Sequence, residues 1–255
     1  AGHRAFAHDR LERALEICRT LDDGAGIAAA QCTLGALALG SGDFAVAQPR
    51  LEEALAIGRR RGAVIEQAKA LNNLANIRLY RQELSAAQAL YQESIDLHRR
   101  QAQVSPGIAT PLMNLGLLLC YEGDYASARP LMDEALGHSR ASGMHIAIPI
   151  ALTNLGYVAL HLGDTQAARA YCEESIALGS RQGNQIHIAD ATLTLGRAAQ
   201  REGDLPQARR LMSRSLRLHS EQVSVRGVCD CVDLLGHVLA EQGDPRLAAQ
   251  FWGWA

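Results

Sequence analysis

Apolar residues recur at the spacing of one helix face in long stretches that are separated by short polar turns. Between residues 148 and 159 they stand at i, i+3, i+4 and i+7, at Ile148, Ala151, Leu152, Leu155 and Ala159. After the pair Gly163-Asp164 a second stripe follows, at Ala168, Tyr171, Cys172, Ser175 and Ile176. The pattern predicts two helices joined by a tight turn, which we call helix A and helix B.

This hairpin recurs along the whole chain. A leucine before a small residue occurs at intervals of 40, 41, 40, 40 and 40, at Leu34, Leu74, Leu115, Leu155, Leu195 and Leu235. Turn pairs follow at Gly42-Asp43, Gln82-Glu83, Gly123-Asp124, Gly163-Asp164, Gly203-Asp204 and Gly243-Asp244, and constant alanines at 47, 87, 128, 168, 208 and 248. A fixed period of this length predicts an all-α solenoid of stacked repeats.

We expect one solenoid over residues 1–255. Its predicted parts are a helix B at 7–22, full repeats at 27–62, 63–103, 104–143, 144–183 and 184–223, and a last repeat at 224–255. The first part lacks a helix A and the last helix B stops early, so we expect a piece of a longer protein or an edge that self-associates through Phe251, Trp252 and Trp254.

The turn and the small residues have direct physical explanations. Glycine is the usual residue just past a helix end, and aspartate can cap the next helix with its carboxylate. The glycine or alanine after each leucine lets two helix axes approach closely. Pro49 and Pro130 fall inside helix B, and the sequence leaves open whether the helix bends or starts later there.

Composition agrees with helices and gives no sign of a nucleic-acid or membrane protein. Apolar residues make up 48% and aromatic residues only 4%, and the net charge of −2 supplies no field that attracts nucleic acid or anionic lipid. No apolar run approaches the length of a membrane span. The six scattered cysteines fit reduced thiols, so we expect a cytoplasmic protein.

The segments "NLGLLLCYEGDYASARPLMDEAL" and "LGALALGSGDFAVAQPRLEEAL" resemble the tetratricopeptide repeat. That family places Leu-Gly in helix A, Gly-Asp-Tyr at the turn and Ala in helix B. The resemblance implies a right-handed superhelix whose helices A line a concave groove. The family's usual period is about 34 residues, and the additional residues here lie between helix B and the next helix A, which favours an elongated version of this repeat.

The elongated style is similar to arrays in kinesin light chains, in polarity adaptors and in large bacterial regulators. The closing segment "AEQGDPRLAAQFWGWA" resembles the end of the arrays in LuxR-type or AfsR-type signal-transduction NTPase regulators. This resemblance implies a sensor or scaffold region in a bacterial transcriptional or signalling regulator.

Motifs that would indicate catalysis or cofactor binding are weak. The segment from Gly24 to Ala29 fits GxGxxA but follows a helical pattern, so we interpret it as a loop between helices. Cys229 and Cys231 stand two apart on a predicted helix and point to different faces, which argues against a shared metal. His98 and His219 fall at helix B ends, where we expect solvated side chains. We therefore predict no enzyme, no cofactor and no metal.

The resemblance assigns the groove by register. Groove-facing positions lie two and five residues before each leucine and two, five and six after it. The partner-binding residues chosen from them are Lys69, Asn72, Asn76, Tyr80, Met113, Leu117, Tyr121, Thr153, Tyr157, His161, Arg197, Arg201, Asp233 and His237. Asn72 and Asn76 lie one helical turn apart, so both amides could hold a peptide backbone.

The pattern along the groove is an apolar centre with polar ends, which suits an extended peptide or a helix. We therefore predict a non-catalytic protein- or peptide-binding module that contacts neither nucleic acid nor membrane. The alternative is a domain that senses a small-molecule effector.

Overall fold

The computed structural model describes residues 2–101 and 105–253, and in that part of the chain it contains thirteen α-helices and no strand. The prediction of an all-α array of helix-turn-helix repeats is confirmed. By the density of internal contacts the chain divides into unit 1, Ala1–Leu118, and unit 2, Leu119–Ala255. The right-handed superhelix stays a prediction.

Unit 1 contains the first five helices and most of the sixth. Their bounds are α1 Gly2–Thr20, α2 Gly24–Leu39, α3 Phe44–Arg61, α4 Val64–Tyr80, α5 Leu84–Arg99 and, after a short 3-10 turn at Pro106–Ile108, α6 Ala109–Tyr121. Helix α1 starts earlier than the predicted residue 7. The core of unit 1 joins α2, α3 and α4 through residues such as Leu51, Leu71 and Leu74.

Unit 2 contains three and a half further hairpins. Their helices are α7 Tyr125–Ala141, α8 Ala147–His161, α9 Thr165–Gln182, α10 Gln185–Arg201, α11 Leu205–Glu221, α12 Val225–Glu241 and α13 Pro245–Trp252. Each helix A of unit 2 packs on the helix B that follows it, and α10 also contacts the helices A on both sides of it, α8 and α12. The helices A of unit 2 therefore form a continuous face.

The Gly-Asp turns take the form that the sequence predicts. Gly163 has φ +86°, in the left-handed region, and the Asp164 carboxylate accepts a hydrogen bond of 2.9 Å from the backbone N–H of Ala167 at the start of α9. The exception is Gln82-Glu83, where a non-glycine residue has φ +62° and the glutamate makes no cap bond. Glycine is thus favoured at this turn but not required.

Small residues lie where helices A and B cross. A Cβ on Gly196 would stand 2.7 Å from the Met212 side chain and 3.5 Å from the Ala208 carbonyl oxygen. A Cβ on Gly156 would meet the Cys172 sulfur at 2.5 Å. Because interiors are close-packed, a side chain at these positions would push the two helices apart.

Two interpretations of local motifs need correction. The GxGxxA segment is not a loop, because α2 begins at Gly24 and the Asp23 carboxylate caps it. Pro49 and Pro130 lie inside α3 and α7, which begin at Phe44 and Tyr125, so the later helix start is excluded. Each proline falls beyond the first turn, where it removes one helical hydrogen bond.

The expectation of solvated histidines at helix B ends is wrong. His98 and His219 are 3% and 1% exposed. Each ring packs against a glycine at the start of the next repeat. A Cβ on Gly107, in the 3-10 turn before α6, would lie 2.7 Å from the His98 ring, and one on Gly227, in the first turn of α12, would overlap the His219 ring. The glycines create the space that each imidazole fills, so these histidines are part of the packing between repeats.

Candidate interaction site

The predicted asparagines of unit 1 are held by neighbouring side chains. Asn72 is 8% exposed, and its carbonyl oxygen accepts a hydrogen bond of 2.9 Å from the Asn114 amide. The Asn76 carbonyl oxygen accepts a bond of 2.5 Å from the hydroxyl of Tyr91, which is fully buried. These acceptors are therefore satisfied within the protein, which argues against two free amides that hold a peptide backbone.

The other predicted residues of unit 1 are spread between interior and surface. Met113 is 8% exposed and belongs to the core. Lys69, Leu117 and Tyr80 are exposed, and the Tyr80 ring packs on Phe44 with 4.3 Å between centroids. The predicted residues of unit 1 therefore do not form one polar cluster. Asn72 and Met113 are too buried to contact a partner.

Unit 2 brings several predicted residues together on the face of α8, α10 and α12. The rings of Tyr157 and His161, one turn apart on α8, lie 4.4 Å apart between centroids. Tyr125, the first residue of α7, stacks on His161 at 4.2 Å with an interplanar angle of 12°. The Arg197 guanidinium lies 5.7 Å from the Tyr157 centroid, within the range of a cation–π contact.

Arg201 completes this group by donating a hydrogen bond to the Leu160 carbonyl oxygen. We call Tyr125, Tyr157, His161, Arg197 and Arg201 the Tyr–Arg cluster. Helical spacing explains the arrangement, because residues four apart on α8 and on α10 point to the same side.

The two arginines of the cluster have no carboxylate partner among the described residues. Elsewhere in unit 2, Arg140 contacts Glu174 at 2.6 Å, and Arg169 forms an ion pair with Glu202. Glu241, which lines the cavity beside the two arginines, accepts a hydrogen bond of 2.6 Å from Gln200 instead. The cluster therefore presents two guanidiniums that no carboxylate of the described residues contacts at ion-pair distance.

A cavity of about 340 Å³ opens beside the arginines. Its lining residues are Leu160, His161, Arg197, Gln200, Arg201, Leu234 and Glu241. The volume is at the lower end of the range for ligand pockets. It combines donors with an apolar wall, so it can accept one or two side chains or a small molecule.

Electrostatics of the cluster follow from burial and the arginines. Burial, together with the charges of Arg201 and Arg197, lowers the pKa of His161 below its ordinary value. Burial raises the pKa of Tyr125, and a hydrogen bond with Tyr157 raises it further. Because an anion in the cavity would offset the arginine charges, it would favour protonation of His161.

The remaining predicted residues of unit 2 make other contacts or are exposed. Thr153 faces inward, where its hydroxyl contacts the Ser175 hydroxyl at 2.8 Å. Asp233 and His237 are exposed and 3.7 Å apart, and the His237 ring meets Trp252 edge-on with 5.2 Å between centroids. Tyr121 is exposed at the end of α6.

The predicted self-association edge is partly covered. Phe251 packs against the core of α10, α11 and α12, and Trp252 lies over Gly236 with 42% of its surface exposed. Trp254 lies outside the described residues. Association through this edge stays a prediction.

Sequence reasoning missed two members of the site. Tyr125 follows the Gly123-Asp124 turn, and its aromatic character in the Gly-Asp-Tyr motif was the available signal. Leu234 precedes Leu235 in helix A and lies outside the register positions assigned to the groove, yet it lines the cavity.

The described residues supply no metal site and no membrane span. No three of their His, Cys, Asp and Glu side chains are grouped to hold a metal ion. None of their helices is long and apolar enough to cross a bilayer. Cys229 is exposed and Cys231 buried, as expected of residues on different helix faces.

Stacked A–B hairpins with a continuous face of helices A define a helical-repeat protein. The profile of the tetratricopeptide repeat matches residues 5–60, 66–141, 107–179 and 147–221, so the chain belongs to the tetratricopeptide-repeat family. Such repeats are typically non-catalytic scaffolds that bind proteins or peptides. No curated protein sequence matches significantly.

Solved structures share the fold at low identity. Aspartyl phosphate phosphatase F from Bacillus subtilis has a TM-score of 0.76 and 13% identity, over 98% of this chain and 66% of that one. BtubC from P. vanneervenii has a TM-score of 0.64 and 19% identity, over 79% of this chain and 83% of that one. A signal transduction ATPase with numerous domains from Pyrococcus horikoshii, which carries a tetratricopeptide repeat sensor, gives 0.68 and 15%, over 95% of this chain and 38% of that one.

Proposed function

We propose that the chain is a non-catalytic interaction module that binds a peptide segment of a partner protein on the α8–α10–α12 face of unit 2. The observation that carries this proposal is the Tyr–Arg cluster, where half-buried rings and two guanidiniums without carboxylate partners adjoin a cavity. Aromatic and arginine side chains are the types most enriched at the energetic centres of protein interfaces.

The test is selection of binding peptides from a displayed library against the immobilised chain. Affinities of enriched peptides are then measured for wild type, Tyr157→Ala and Arg197→Ala. We expect both variants to bind more weakly, since each loses a contact at the centre of the face. Undiminished affinity in both variants would refute the assignment of this face.

The cavity supports a second candidate, a domain that senses a small-molecule effector. Its volume and mixed lining are those of a small ligand site. Thermal-shift screening of metabolites distinguishes the two functions, because a ligand that binds only the native state raises its stability. A metabolite that stabilises wild type but not Arg197→Ala, with no peptide enriched, would favour this candidate.

We further propose that the module is the sensor or scaffold array of a larger bacterial transcriptional or signalling regulator, of the LuxR or AfsR type, in the cytoplasm. The resemblance of residues 240–255 to such arrays supports this, as does the fold shared with a repeat sensor of a multidomain ATPase. The complete reading frame tests it. A phosphate-binding loop and a DNA-binding helix pair outside this segment are expected; a frame without either contradicts the proposal.

The proposed C-terminal edge contact is tested separately. Sedimentation velocity of wild type and Trp252→Ala over a hundredfold concentration range is the measurement. A concentration-dependent dimer that the substitution weakens supports self-association, and a monomer throughout refutes it.

A further inference from the structure

The Tyr–Arg cluster has a charge that points to the chemistry of its partner. Arg197 and Arg201 are one turn apart on α10 and carry no ion pair among the described residues, whereas most arginines of unit 2 with a described contact meet an acid. Guanidiniums bind carboxylates with planar, paired hydrogen bonds. The ligand group that binds these two guanidiniums from the cavity should therefore be a negatively charged hydrogen-bond acceptor.

Apolar and aromatic side chains surround the cavity beside the two arginines. Leu160 and Leu234 line the cavity, while Tyr157 and the stacked pair of Tyr125 and His161 adjoin it. A wall of this kind favours an aromatic or aliphatic side chain next to the anion. The cavity volume of about 340 Å³ is enough for such a pair of side chains.

We infer that the partner segment presents an aspartate or glutamate to Arg197 and Arg201, next to an aromatic or aliphatic side chain that packs on the Tyr–Arg cluster. This inference rests on the proposed peptide-binding function and names the kind of peptide. The continuous face of α8, α10 and α12 suits an extended segment, of which the cavity takes only the anchoring pair.

The affinity for such a peptide should depend on pH through His161. The groups that face or adjoin His161 are Arg197 and Arg201 from α10, Tyr157 on α8, Tyr125 from α7 and, across the cavity, Glu241 from α12. The two arginines oppose protonation of its ring, and a bound carboxylate would offset them. Binding should therefore take up a proton and become tighter as pH falls, while the peptide carboxylate, with a pKa near 4, stays ionised.

The experiment starts from peptides that a displayed library enriches on the wild-type chain. Each peptide is measured by isothermal titration against wild type, the double variant Arg197→Gln/Arg201→Gln and the matched control Arg214→Gln/Arg217→Gln. The control removes the same charge from exposed positions on α11. Each acidic residue of the peptide is also replaced by its amide and measured against wild type, which requires no change in the protein.

We expect the enriched peptides to share an acidic residue beside an apolar one. A hydrogen bond between charged groups contributes on the order of 1.5–3 kcal/mol, so losing the acid or the arginine pair should weaken binding about tenfold or more, and the control should bind as wild type does. Affinity should rise between pH 7.5 and 5.5 for wild type and not for His161→Gln.

Three results would overturn the inference. Peptides that bind wild type and the arginine variant equally, or that tolerate the amide, show that no carboxylate is recognised. If these peptides still lose affinity for Tyr157→Ala, the proposed function stands while the inference fails. If no peptide is enriched, and sodium phenylacetate stabilises wild type but not the Arg197→Gln/Arg201→Gln variant, the inference and the proposed peptide-binding function both fail, and the result favours a small-molecule site.

Discussion

The left-handed turn between helix A and helix B gives the sharpest quantitative prediction. Gly163 has φ +86° and Gly137, in the interior of α7, has an ordinary helical conformation. A Cβ added at either position meets no atom within 4 Å. Glycine to alanine is therefore the same chemical change at two open sites that differ only in backbone conformation.

The two substitutions should have opposite signs. In the left-handed region an L-residue costs about 1–2 kcal/mol, only part of which is offset by the lower entropy of the unfolded chain, so Gly163→Ala should destabilise by about 1 kcal/mol. In a helix, alanine is favoured over glycine by about 0.8–1 kcal/mol, so Gly137→Ala should stabilise by nearly that amount. The chain tolerates a non-glycine residue at the same turn, since Gln82 has φ +62°, so Gly163→Ala should still fold.

Thermal unfolding followed by far-UV circular dichroism is the assay. For a chain of this size about 1 kcal/mol corresponds to a Tm change of about 2–4 °C, so the variants should differ by roughly twice that. Circular dichroism at 20 °C should be unchanged for both. Equal shifts, or a Gly163→Ala variant more stable than wild type, would show that the turn is not held in a left-handed conformation.

Two further predictions concern helix caps and buried histidines. Asp164→Ala removes a cap bond of 2.9 Å and should lower the free energy of unfolding by about 1 kcal/mol. Glu83→Ala has no cap bond to lose and removes only a solvent-exposed ion pair with Arg78, so it should cost less in urea denaturation; a loss as large as that of Asp164→Ala, also when Arg78 is replaced by Ala in both variants, would refute the capping argument. Burial lowers the pKa of His98, His161 and His187, so the unfolded chain takes up protons first as pH falls below about 6.5, and the urea midpoint should drop between pH 7.5 and 5.5. A midpoint that is flat or rises on acidification would contradict this.

The repeat could be predicted from the sequence because its signals are local. Gly163 and Asp164 end one helix and cap the next through contacts within a few residues, and the stripe from Ile148 to Ala159 follows from helix geometry alone. Leu155, at the predicted core position, is 1% exposed.

The burial of polar residues could not be predicted in the same way. Periodicity indicates which face a residue occupies but not what the next repeat places opposite it. His219 is buried because Gly227 leaves room for its ring, and Asn72 is buried because Asn114 lies across from it. Such pairings depend on two positions in different helices, and a single sequence does not show that they meet.

The candidate site was predicted in part. Register identified Tyr157, His161, Arg197 and Arg201 as one face, because residues four apart on a helix are neighbours. It did not identify Tyr125, which belongs to helix B and reaches the cluster by stacking on His161. That neither arginine has a carboxylate partner among the described residues could not be predicted either, because Glu202, the neighbour of Arg201 in sequence, forms its ion pair with Arg169, and Glu241 accepts a hydrogen bond from Gln200.

Photo-cross-linking tests most directly whether a partner peptide binds on the α8–α10–α12 face of unit 2. A photoreactive benzoylphenylalanine replaces Gln200, which lines the cavity, or in a matched variant Arg214, which is exposed on α11. With a peptide enriched on the wild-type chain, we predict a cross-link from position 200 that excess unlabelled peptide abolishes, and none from position 214. A cross-link from position 214 alone, with none from position 200, would contradict the account.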